Sequence, residues 1–184
     1  MAIEKIGMRR SKIEYLGDRI QITIPSRKNW LSIILQTFWL GGWLFGEIMV
    51  PAFLFVGPIL SLEKLFMLLW LAIWTIGGGY VIYNIFWSLV GKEIITFSYD
   101  RLKIEKKIFQ INFVKVYSMM DASDFRISTS SPSNAWYYRN YPPYLTGLIS
   151  FDYGMKTIKF ATEIDEAEAK YLLEEMQKNG FISA

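Results

Sequence analysis

Two long stretches almost free of charge dictate most of what this chain can become. Between Asn29 and Gly91 the only formally charged residues are Glu47, Glu63 and Lys64, while the flanks carry an ordinary share. Chain-wide averages of 52% apolar and 20% charged residues hide this mosaic. The first stretch, from Trp30 to Ile48, reads WLSIILQTFWLGGWLFGEI. As a helix rising about 1.5 Å per residue it reaches about 28 Å, close to the roughly 30 Å hydrocarbon core of a bilayer. The second stretch, from Leu65 to Val90, is longer and can span with tilt. Two helices apolar on every side, buried inside a soluble domain, would need more chain to cover them than remains. They therefore read as a transmembrane hairpin.

The connection between them, MVPAFLFVGPILSLEK, contains Pro51 and Pro58. Both are expected to break continuous helix, leaving an interfacial or partly re-entrant link. Gln36, Glu47 and Asn84 are the intramembrane polar candidates. Glu47 has two readings: a residue at the far interface or capping a turn, or a functional carboxylate buried in protein. Gly77, Gly78 and Gly79 suit close helix approach or a bend. Trp30, Trp43, Trp70 and Trp87 are expected near the interfaces, and Trp39 and Trp74 in helix packing. Arg27, Lys28 and Lys92 flank the spans, whereas the link offers only Lys64 beside Glu63. The positive-inside rule places both flanks in the cytoplasm.

The flanks carry strand patterns. Residues 12–17 and 19–24 read as two short strands about Gly17 and Asp18, with Ile20, Ile22 and Ile24 alternating with polar residues. Further strands are expected over 93–99, 101–108, 109–119, 124–129, 146–152 and 156–161. In 101–108, Leu102 and Ile104 occupy one face and charges the other. The period then changes. Ala169, Leu172, Leu173 and Met176 form one helical stripe, with acidic residues at its start and Lys178 and Gly180 at its end. Three segments follow: 1–28 and 92–184 forming one cytoplasmic β domain, and 29–91 forming the hairpin. The first 28 residues mix Glu4, Glu14 and Asp18 with basic residues and do not read as a signal peptide.

The phrase GLISFDYGMKTIKFATEIDEAEAKYLLEEMQ resembles the final hairpin and helix of bacterial membrane proteins with a pleckstrin-homology-like domain. Residues Arg27, Asn29, Trp30, Trp39, Leu40, Trp43, Gly46 and Glu47 are similar to the pattern by which uncharacterised proteins of this kind enter their first span. The resemblance implies an α+β membrane protein in which the hairpin is inserted into a small antiparallel barrel or roll. The C-terminal amphipathic helix would cap that barrel. It also implies a scaffold or binding role with no catalytic residue set. A basic signature for phosphoinositide recognition is missing from the first hairpin.

Function is less constrained than architecture. The chain has no cysteine and no histidine, which removes thiolate chemistry, the commonest general base and the commonest metal ligand. The serines have no histidine base, Asp121 and Asp124 read as turn residues, and no phosphate-binding loop is present. No catalytic residue, metal or cofactor is expected. A formal charge of +3 without a lysine- or arginine-dense run argues against nucleic acid. The most unusual stretch is SPSNAWYYRNYPPYLTG. Its Trp136, Tyr137, Tyr138, Arg139, Tyr141 and Tyr144 suit a partner protein, the bilayer headgroups or the chain's own barrel. Arg9, Arg10, Lys12, Arg27, Lys28 and Lys92 form a basic collar that either fixes topology or binds anionic lipid. Three functions follow. The first is a non-catalytic accessory or scaffold subunit of an inner-membrane complex, with lipids and other subunits as partners. The second is an anionic-lipid-responsive module. The third is a homo-oligomeric channel or transporter component.

Overall fold

A computed structural model describes residues 10–54, 61–128 and 147–182. Among them the chain forms eight strands and three helices. It divides into two compact units, one of residues 27–90 and one of the flanking segments.

The β unit contains two antiparallel sheets. The first has the order β1 (Lys12–Tyr15), β2 (Arg19–Pro25), β3 (Lys92–Ser98), β4 (Arg101–Ile108), β5 (Ile111–Ser118). The second has the order β6 (Ala122–Ile127), β7 (Ile149–Tyr153), β8 (Lys156–Phe160). Strands β2 and β3 are neighbours although the whole helical unit lies between them in sequence. Their pairing runs to Pro25 opposite Lys92, and the Ser26 N–H then donates to the Gly91 carbonyl at 3.0 Å. The ends of the helical segment thus leave from adjoining strands.

Strand alternation builds the core. Ile20, Ile22 and Ile24 of β2 share one buried face with Ile95 and Phe97 of β3 and with Leu102 and Ile104 of β4. Phe151 and Phe160 join them from the second sheet. The final helix, α3 (Glu166–Lys178), adds Ala169, Leu172, Leu173 and Met176 to the same cluster. Its stripe is the one legible in the sequence. Asp165 caps its start by accepting from the Glu168 N–H at 2.8 Å. At its end, Gly180 takes a positive φ of 72° and donates to Gln177, while Phe181 donates to Met176. This 6→1, 5→2 pair is a Schellman motif, and buried Phe181 belongs to the same core as Met176.

The helical unit consists of α1 (Trp30–Leu54) and α2 (Leu62–Val90). Asn29 caps α1 through the Ser32 N–H, and Ser61 caps α2 through the Lys64 N–H. The expectation that Pro51 breaks the helix is corrected, because α1 runs through it to Leu54. Pro51 lies in the last turn, where the bond it cannot make to the Glu47 carbonyl is followed by only a short stub. The Lys64 ammonium reaches the Leu54 carbonyl at 2.7 Å and satisfies an acceptor at that helix end. Both helices are long and apolar enough to cross a membrane, and only 6% of the most apolar part of each is buried.

Candidate functional site

Within the helical unit, two tryptophans and two glycines hold the helices together. The Trp43 indole N–H donates to the Trp74 carbonyl at 3.0 Å, and the Trp74 indole N–H donates to the Trp43 carbonyl at 3.3 Å. Each ring lies over a glycine of the opposite helix. A Cβ at Gly78 would sit 1.9 Å from Trp43, and one at Gly46 would sit 3.1 Å from Trp74. Close approach therefore belongs to Gly78 and Gly46, while a Cβ at Gly77 or Gly79 meets nothing within 4 Å. Trp39 and Trp70 pack on Trp74 with ring centroids 5.5 and 4.8 Å away. Trp43 thus packs across the helix pair, whereas Trp70 stacks on Trp74 of its own helix and stays 38% exposed.

Glu47 belongs to the same contact. The Thr75 hydroxyl lies 2.8 Å from its Oε1 and 2.8 Å from the Leu71 carbonyl. Glu47 therefore ties α1 to α2 at half-burial. Gln36 on α1 and Asn84 on α2 are also half-buried.

The basic residues take different positions. Arg10 is used within the β unit: its guanidinium donates to the Ser26 carbonyl at 2.9 Å, and its backbone N–H donates to Glu168 at 3.0 Å. The Ser11 N–H and hydroxyl converge on the same Glu168 oxygen, at 2.7 and 2.5 Å. Lys12 is exposed on β1, and Lys92 is half-buried at the start of β3. Arg27 and Lys28 are exposed in the helical unit, ahead of α1. Arg9, Arg139 and the aromatic residues Trp136, Tyr137, Tyr138, Tyr141 and Tyr144 lie outside the described residues.

One row crosses the first sheet where the chain passes to and from the helices. Pro25 pairs with Lys92, Lys92 with Lys107, and Lys107 with Asn112. One position along, on the inner face, Ile24 pairs with Glu93, Glu93 with Lys106, and Lys106 with Phe113. Glu93 is buried, and its Oε2 accepts from both the N–H and the hydroxyl of Thr162 at 2.8 Å. Its other oxygen is buried with no hydrogen-bond partner. Burial pushes the Lys106 ammonium below its usual range; Glu93 and Glu163 pull it back up, and Lys115 opposes them. Sequence alternation set the charges of β4 on the solvent face, but Lys106 shares the inner face with Leu102 and Ile104. Its even spacing from Ile104 was the signal for this.

Asp124 adopts a positive φ of 51° at an irregularity in β6, beside Arg126. Arg126 also holds Asp152 through two bonds of 2.8 and 3.0 Å, and the Thr157 hydroxyl adds a third at 2.7 Å. These bonds hold the Asp152 carboxyl below the usual carboxylate range, the Arg126 contact contributing most. The arrangement pins β6, β7 and β8 together. Among the described residues no group of three or more acidic side chains stands close enough to hold a metal ion. No protein-family model matches the chain, and a comparison with curated proteins finds no relative.

Proposed function

We propose that this chain is a membrane-anchored, non-catalytic accessory or scaffold module. In this reading α1 and α2 span a bacterial inner membrane, and the β unit, a pleckstrin-homology-like roll, stands on the cytoplasmic side. The observation that carries it is the state of the helix surfaces. Phe38 is 83% exposed and Ile76 73%, although the same helices interlock through Trp43 and Trp74. Such a pair is complete along its seam and needs an apolar solvent around the rest. The two sheets sharing one core with a terminal helix support the pleckstrin-homology-like reading. Arg27, Lys28 and Lys92 beside the span ends support the cytoplasmic assignment.

The accessory role draws on β5, which among the described residues pairs only with β4 and exposes Val114 and Val116 on its outer face. An open edge strand with apolar side chains suits a protein partner, and the segment of 131–147 remains the other candidate contact. Native mass spectrometry after gentle extraction tests this. A hetero-complex that is lost on Val114→Lys/Val116→Lys substitution is expected, and a strictly monomeric species in mild conditions contradicts it. A second reading, an anionic-lipid-responsive module, is favoured by Lys92 and Lys107, paired at the end of the sheet from which the helical segment leaves. Equal binding of the protein to anionic and zwitterionic bilayers at matched salt contradicts that reading.

A further inference from the structure

The turn between β4 and β5 presents bulky apolar side chains that are more than half exposed. Phe109, Ile111 and Phe113 are 61%, 62% and 59% exposed. The connection has two residues, Phe109 and Gln110, closing on the pair Ile108 and Ile111. Phe109 takes a φ of 51°, which at the first central position of such a turn favours glycine. A large aromatic side chain, 61% exposed, thus occupies a position where glycine would be less strained.

The position of this turn says what it meets. Lys92 lies opposite Lys107, so the turn projects from the end of the sheet at which Ser26 and Gly91 pair and the chain leaves for α1 and returns from α2. Phe109 is two residues beyond Lys107, and Val90, the last residue of α2, is two residues before Lys92. Lys107 directly precedes the turn, and Lys92 lies opposite it on the same face of the sheet. An apolar tip backed by lysines matches an anionic bilayer interface, where acyl chains take the apolar groups and phosphates the ammonium groups.

We infer that the β4–β5 turn is a third membrane contact, with Phe109 and Ile111 entering the interfacial layer of an anionic bilayer and Lys92 and Lys107 facing its phosphates. This rests on the reading that α1 and α2 span the membrane. Contact at this turn would fix the β unit against the surface so that it could not swing on its two tethers.

The chain has no cysteine, so single nitroxide labels can be placed without background. The full chain is reconstituted in phosphatidylcholine vesicles with and without phosphatidylglycerol, and collision with oxygen and with a water-soluble nickel chelate is read by power saturation. Four variants are used: Phe109→Cys, Ile111→Cys, Met120→Cys and Phe38→Cys. Met120 is 93% exposed and follows the far end of β5, the end at which Ser118 pairs with Arg101. Oxygen should exceed nickel at 109 and 111, more so with phosphatidylglycerol, and nickel should exceed oxygen at 120. Nickel dominance at both 109 and 111, with oxygen dominance at 38, overturns the tip contact and leaves the spanning helices standing. Low collision with both reagents at 109 and 111 overturns it in favour of a protein partner or a second copy on β5. Equal ratios in the two lipid mixtures overturn the role of the lysines. Nickel dominance at 38 removes the spanning reading on which the inference rests.

Discussion

Most isoleucines of the β unit are buried, and most of those in the helical unit are exposed. In the β unit Ile20, Ile22, Ile24 and Ile95 are at most 2% exposed, whereas in the helical unit Ile34, Ile48, Ile73 and Ile76 are 58% to 73% exposed. The first group drives folding by leaving water. The second cannot do so within this chain, so the helices are joined by other means: reciprocal indole hydrogen bonds, glycine-permitted contact and the Thr75–Glu47 bond. One chain thus uses two bases of cohesion, burial in one unit and close polar-assisted packing in the other.

If the two units cohere by different means, a core deletion in the β unit should leave the helical unit intact. Phe151→Ala empties a fully buried site among Tyr117, Phe125 and Phe160, and should cost about 3–5 kcal/mol. Thermal unfolding in detergent should show that loss in the β-sheet signal while the helical signal persists. The converse substitution is Gly78→Leu, which drives a side chain into Trp43 and should cost the helix pair about 1–3 kcal/mol. Spin labels at Phe45→Cys and Ile73→Cys should report a widened separation. Gly77→Leu, where a Cβ meets nothing, should leave that distance unchanged.

Smaller effects sharpen the picture of the β unit. Asp165→Ala removes the cap of α3 and should lower stability by about 1 kcal/mol, read as a lower Tm of the sheet unit alone. Asp152 supplies a pH signature. Its folded carboxyl titrates below the ordinary value of about 3.9, so its contribution is fully present above that value and fades as pH falls through the lower folded one. Asp152→Asn should therefore reduce the Tm at neutral pH and make no difference in strong acid. A difference that persists there would assign the effect to packing and not to the Arg126 pair.

Much of the β unit was legible because its alternation is local. Ile20, Ile22 and Ile24 announce a half-buried strand, and Ala169, Leu172, Leu173 and Met176 announce a helical face. The two apolar stretches were equally plain. What escaped the sequence depends on partners distant along the chain. Nothing local tells Gly78 from Gly77 and Gly79; only the Trp43 ring does. Lys106 looks like one more surface charge until β3 sets Glu93 beside it. Phe109 resembles any strand residue until its positive φ places it at a turn tip. Pro51 misled because a proline in the last turn of a long helix costs less than one at its centre.

In the proposed function, α1 and α2 cross a membrane and hold the β unit on its cytoplasmic face. Accessibility of single cysteines to a membrane-impermeant maleimide tests it most directly, in right-side-out and inverted inner-membrane vesicles. Glu63→Cys, at the start of α2 near the turn of the hairpin, and Met120→Cys, in the β unit, are the informative positions. The account predicts labelling of position 63 only in right-side-out vesicles and of position 120 only in inverted ones. Labelling of both positions from the same side would contradict it.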